Sequence, residues 1–245
     1  MQVRGGHPVV DGVYVNGSGP YRFLVDTGTN VNLMEAELAR SIHLAPAFRV
    51  QLASSTGSLL VPGAKGIEVT LDSAKAGGQE FLFSRLEEIR RRWPDIQGVL
   101  GQEFLSRFDY MLDLHKKRLE FGKQERAGTR SQSHSINGRP TLATSLGDLV
   151  LDSGVATLVL FGVEPDPAPI QKYGPALKTF LRTLTGSREI GQVSGVKLVI
   201  AGRNIWRGDA VAIPNSNEKD ADGLLPLSVF KSIYFCNSEG YVVFE

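Results

Sequence analysis

The chain has 245 residues, 42% of them apolar and 22% charged, with a formal net charge of +1. That length and composition support one large domain or two small ones with real cores and exclude wholesale disorder. The charge balance argues for neither nucleic acid nor an anionic membrane. No apolar run reaches about 18 residues, the length of a membrane span. A single cysteine, Cys236, excludes an intrachain disulfide and a cysteine-based zinc site.

In chain order, Val9-Val10 and Val13-Tyr14-Val15, a turn at Asn16 to Pro20, and Tyr21 to Val25 read as a hairpin. This hairpin delivers Asp26-Thr27-Gly28 into a tight turn. Asn32 to Ile42, with Leu33, Met34, Leu38 and Ile42 at helical spacing, predicts a short amphipathic helix. From Phe48 to Leu71 the pattern is strand-like, interrupted at Ser54-Ser55-Thr56-Gly57-Ser58, a small polar hairpin tip. Ile67, Val69 and Leu71 alternate with polar residues as on a half-buried strand. The segment Glu87 to Trp93 carries three consecutive arginines, but its glutamates cancel much of that field, so it reads as a solvated loop or helix face rather than a nucleic-acid patch. Gly98-Val99-Leu100-Gly101 predicts a buried strand, followed by a short helix and a closing hairpin that ends at Phe121. Gly122 to Arg139, rich in Ser, Gly and Arg, reads as a linker.

The second half repeats the first. Leu142 to Leu151 leads into Asp152-Ser153-Gly154, and Leu184-Thr185-Gly186-Ser187 matches the first tip. Val196, Leu198 and Ile200 alternate as Ile67, Val69 and Leu71 do, and Gly223-Leu224-Leu225-Pro226 answers Gly98 to Gly101. Asp26 to Gly98 spans 72 positions and Asp152 to Gly223 spans 71, so order and spacing together predict an internal duplication. Pro169 to Arg182 reads as helical towards its end. It either shapes one side of a cleft or covers the outside of the lobe, the second being the commoner arrangement.

An isolated Asp-Ser-Gly is usually a surface turn, but both triplets here end apolar runs, and burying an unpaired carboxylate is costly. With the glycine-containing tips and the Gly98 to Leu105 segment, these motifs resemble aspartic proteases, in the form of a single chain with two tandem retropepsin-like lobes of bacterial type. The resemblance implies an all-β fold of two β-barrel lobes with few helices and a cleft between them: residues 1–124, a linker at 125–138, and residues 139–245. It implies peptide hydrolysis by water activated between Asp26 and Asp152, without metal or cofactor. Thr27, Gly28, Thr29, Ser153 and Gly154 would support the pair. The tips (Ser55, Thr56 and Gly57; Thr185 and Gly186) would act either as lids over substrate or as ordinary exposed hairpin ends.

The Thr29 hydroxyl is expected to favour charge on Asp26, whereas Val155 offers Asp152 no such donor, so Asp152 is expected to hold the shared proton. Pro226, where the first lobe has Gly101, is expected to alter the support of Asp152. The rival to an enzyme is a scaffold of the same fold that binds extended peptides and cleaves them poorly. The expected partner is a peptide or protein substrate, with no nucleic acid and no membrane span, and the expected assembly a monomer; the rival assembly pairs two chains through their first lobes. The start Met1 to His7 lacks the apolar core of a signal peptide, which as written points to the cytoplasm; a preceding segment would point to the periplasm or to export.

Overall fold

A computed structural model of the chain describes residues 1–54, 57–166, 179–183, 186–216, 218 and 220–245. The first half contributes β1 (Gln2–Arg4), β2 (His7–Val15), β3 (Ser18–Val25), β4 (Asn32–Glu35), β5 (Phe48–Ser54), β6 (Gly57–Leu71), β7 (Ala74–Ser84) and β8 (Gly98–Leu100). Next come β9 (Tyr110–Asp113), β10 (Arg118–Phe121) and β11 (Thr129–Gln132). The second half contributes β12 (His134–Ile136), β13 (Arg139–Thr144), β14 (Gly147–Asp152), β15 (Val159–Phe161), β16 (Thr179–Thr183), β17 (Gly186–Ile200), β18 (Arg203–Ile213) and β19 (Gly223–Pro226), then β20 (Ser232–Cys236) and β21 (Tyr241–Phe244). The architecture is all-β, with short helices α1 (Ala36–Ser41), α2 (Glu87–Arg92) and α3 (Gln102–Leu105).

Two eight-stranded sheets share one plan. The first runs β1-β2-β3-β8-β4-β7-β6-β5, and the second runs β12-β13-β14-β19-β15-β18-β17-β16. In each, the strand that leads to the aspartate pairs in parallel with a strand that opens on a glycine: Val25 opposite Leu100, and Leu151 opposite Leu225. These strands are interior to their sheets, so consecutive apolar residues are covered on both faces; Leu149, Val150 and Leu151 are all fully buried. A third sheet, β10-β9-β20-β21-β11, joins the halves, and a continuous core runs from Phe23, Phe81 and Phe104 to Leu151, Leu198 and Phe235. Each such side chain taken out of water contributes about 1.5–3 kcal/mol.

Three expectations are corrected. Asn32 to Glu35 is a strand, and the helix begins only at Ala36. Asn32 to Glu35 run parallel to β7, and the Glu35 carboxylate caps α1 by accepting from the N–H groups of Glu37 (2.7 Å) and Leu38 (2.9 Å). Residues 179–183 form β16 and not a helix, because cross-strand pairing with β17 outweighs the local spacing; 169–178 lie outside the described residues. The stretch read as a linker contains β11 and β12. Its polar residues suit an edge strand: β11 pairs with β21, and the Arg130 guanidinium lies 3.5 Å from the centre of the Tyr241 ring.

Candidate active site

Both aspartate turns meet where the halves join, through four reciprocal hydrogen bonds. The Thr27 hydroxyl donates to the Leu151 carbonyl (2.7 Å) and accepts from the Ser153 N–H (3.0 Å). The Ser153 hydroxyl donates to the Val25 carbonyl (2.7 Å) and accepts from the Thr27 N–H (3.0 Å). Thr27 and Ser153 are almost wholly buried, so losing either hydroxyl would leave polar groups without partners.

Each carboxylate is turned back by its own triplet. Gly28 N–H donates to Asp26 Oδ1 (2.9 Å), and Gly154 N–H donates to Asp152 Oδ1 (2.6 Å). Each glycine also faces the opposite half's carboxyl. A Cβ on Gly154 would come within 2.6 Å of Asp26 Oδ2, and one on Gly28 would collide with the Asp152 carboxyl carbon. The glycines are therefore required by space.

The two carboxyls are not equivalent. Burial raises the Asp26 pKa, opposed by the Gly28 N–H, a hydrogen bond with Asp152, the Thr29 main-chain N–H and the field of Arg139. Asp152 is held well above the ordinary carboxylate range, first by burial and then by the Asp26 charge; the hydrogen bond between the carboxyls adds to this. At most one of the pair is readily charged, and the two titrate as a unit. Thr29 acts through its main-chain N–H; its methyl group is turned towards Gly101.

Two adjacent buried carboxyls that do not ionise together offer one proton donor and one proton acceptor, the pairing that general acid–base chemistry uses. Among the described residues, no group of three or more His, Cys, Asp or Glu is placed to hold a metal, and no helix is long and apolar enough to cross a membrane.

The strand order, shared by both halves and carrying one aspartate from each to a common seam, can now be compared with known proteins. Residues 12–104 match the family model described as aspartyl protease, a stretch that includes Asp26 and ends before Asp152. A crystal structure of aspartic proteinase from Irpex lacteus is similar over 96% of this chain and 93% of that one, with a TM-score of 0.52 and 12% identity. The fold is that of an aspartic protease. No curated protein sequence matches.

Within the aspartic protease fold, the tips occupy matching places. Strands β5 and β6 pair as far as Ser54 opposite Gly57, and β16 and β17 as far as Thr183 opposite Gly186. Gly57 and Gly186 are thus the first residues of β6 and β17, while Ser55, Thr56 and Thr185 lie outside the described residues.

Sequence reasoning overlooked the polar residues behind the first turn. Asn32 Oδ1 accepts from the Gly101 N–H (3.0 Å), and Gln102 Nε2 donates to the Thr27 carbonyl (2.9 Å). A polar Asn32 set between Val31 and Leu33-Met34 was the available signal. His7 and Arg139 were overlooked too. Each begins the strand after a glycine turn, at corresponding positions of β2 and β13.

Proposed function

We propose that the protein is an aspartic endopeptidase formed by one chain that arose by internal duplication, with lobes at 1–124 and 139–245. The observation that carries this reading is the reciprocal Thr27–Ser153 clasp, which brings Asp26 and Asp152 into one hydrogen-bonded pair. Aspartyl protease family similarity over 12–104 and the shared fold support peptide hydrolysis as the chemistry.

In this mechanism Asp26 is the charged partner and removes a proton from a water held between the carboxyls as the water attacks the scissile carbonyl. Asp152 donates its proton to the carbonyl oxygen. The resulting gem-diol collapses as Asp26 passes the proton it took to the leaving amine and Asp152 recovers a proton from a gem-diol hydroxyl; the peptide bond breaks without a covalent enzyme intermediate. The paired tips would exclude water by closing over the peptide.

The test is cleavage of a random peptide library from about pH 3 to 7.5, a span that brackets titration of a coupled carboxyl pair. It uses wild type, Asp26→Asn and Asp152→Asn. Loss of cleavage in both variants is expected, with rates at least about a hundredfold down, the scale of loss when a general acid or base is removed. Full activity in Asp152→Asn would instead favour two chains pairing through their first lobes. No cleavage by wild type at any pH would favour a peptide-binding scaffold.

A further inference from the structure

The two ends of the seam carry different charge, in a way that the Asp26–Asp152 chemistry does not use. At one end, the β1–β2 turn packs on the loop after Asp152: a Cβ on Gly6 would lie 3.6 Å from the Ala156 Cβ. His7 follows this turn; burial, then the Arg92 charge, lower its pKa, and the nearby Ser153 main chain only partly offsets them. The His7 ring meets Trp93 edge-on at 5.2 Å, and the Arg92 guanidinium lies 4.7 Å from the centre of the Trp93 ring, covering Gly5.

The neighbouring arginines are neutralised. Arg85 pairs with Glu87 (3.6 Å), Arg90 with Glu35 (3.3 Å) and Arg91 with Glu88 (2.8 Å), while Arg4 binds Asp95 (2.8 Å). Arg92 has no carboxylate partner among the described residues and is exposed. At the other end, Arg139 holds the position equivalent to His7. It is fully committed to Glu218 through a two-pronged ion pair (3.1 and 3.0 Å), with 12% of its side chain exposed. One end of the seam is therefore closed and neutral, the other open and cationic.

We propose that Arg92, stacked on Trp93 beside His7, forms a subsite that selects an acidic side chain in the peptide substrate. The inference rests on the endopeptidase reading. The stacked guanidinium is already ordered before substrate arrives, so less side-chain entropy is lost on binding. A carboxylate would gain a charge-assisted hydrogen bond there. The subsite lies beside the loop that follows Asp152, where the β1–β2 turn packs on Ala156. Because the opposite end is neutral, the preference applies on one side of the bond only.

The experiment starts from a peptide that wild type cleaves and replaces each flanking position in turn with Glu or Gln. The readout is the Glu-to-Gln ratio of kcat/KM within wild type, Arg92→Gln and Arg92→Glu, so that a general loss of activity cancels. The expected ratio in wild type is about tenfold at one position, shrinking with added salt as screening requires. It should fall to near one in Arg92→Gln and invert in Arg92→Glu. Equal rates for Glu and Gln at every position in wild type, or a preference that persists in Arg92→Gln, would overturn the subsite while leaving the endopeptidase reading intact. Failure of wild type to cleave any peptide would overturn both.

Discussion

Behind Asp26 the supporting residues are polar, and behind Asp152 they are apolar. In the first half Leu33 lies opposite Val99, and in the second Val159 lies opposite Leu224, so Asn32 corresponds to Leu158 and Gly101 to Pro226. Asn32 accepts from the Gly101 N–H; Pro226 has no N–H to offer, and buried Leu158 asks for none. Gln102, which donates to the Thr27 carbonyl, corresponds to buried Leu227. Asn32 with Gly101, and Leu158 with Pro226, are each consistent within their own half: both members offer a polar group or neither does. Removing both sides of a buried hydrogen bond is nearly neutral, whereas removing one side costs the full desolvation of the other. Pro226 is therefore matched to its surroundings: it pairs with Asp152 as the last residue of β19.

Exchanging single residues between the halves breaks this matching, and the largest effect is expected from Gly101→Pro. It removes the N–H from a buried bond, strands Asn32 Oδ1, and places a side chain against the Val31 carbonyl. A loss of about 3 kcal/mol or more is expected in denaturant unfolding. Pro226→Gly should cost only about 1 kcal/mol, chiefly through the freer unfolded chain. Similar costs for the two exchanges would show that the halves are braced alike.

How much of this was legible in the sequence follows from the same contrast. The triplets, the alternating strands and the repeated order were legible because each depends on residues close together in the chain, such as the apolar run ending at Asp26. The bracing was not, because it depends on what lies across space. Asn32 looks like part of a helix until Gly101 and Gln79 are placed beside it. Residues 179–183 look helical until β17 pairs with them, and Thr129 to Gln132 look like a linker until β21 does. His7 and Arg139 are equivalent only once the two glycine turns are superposed, and their opposite environments come from Trp93 and Glu218, far along the chain.

The carboxyls offer a sharper comparison, because the halves should respond unequally to pH. Both groups have raised pKa values in the folded state, so folding takes up protons. The associated stabilisation is complete below the unfolded carboxylate value of about 3.9 and is lost as pH rises through the folded values. Asp152, raised further, therefore loses more by pH 7. Asp152→Asn removes the more heavily penalised charge and leaves Asp26 with its N–H donors. Its Tm at pH 7 should exceed that of Asp26→Asn by a few degrees, a 1 kcal/mol change being about 2–4 °C for a chain of this size. The gap should close near pH 3.5, where the carboxyls are largely protonated in either state. The reverse order at pH 7 would place the proton on Asp26.

Thr29→Ala is expected to have the smallest effect, and it isolates the source of that asymmetry. Sequence alone suggested the Thr29 hydroxyl as the group that favours charge on Asp26, which would move the acidic limb of the rate–pH profile upward when the hydroxyl is lost. In the folded chain the favourable contribution comes from the Thr29 main-chain N–H, which alanine retains, while the Thr29 methyl faces Gly101. The acidic limb in Thr29→Ala should therefore coincide with wild type, with a stability loss below about 1 kcal/mol for the trimmed methyl. An upward shift of that limb would return the asymmetry to the hydroxyl. The difference between the Thr29 and Val155 side chains would then set which aspartate carries the charge, and the Thr29 main-chain N–H would not.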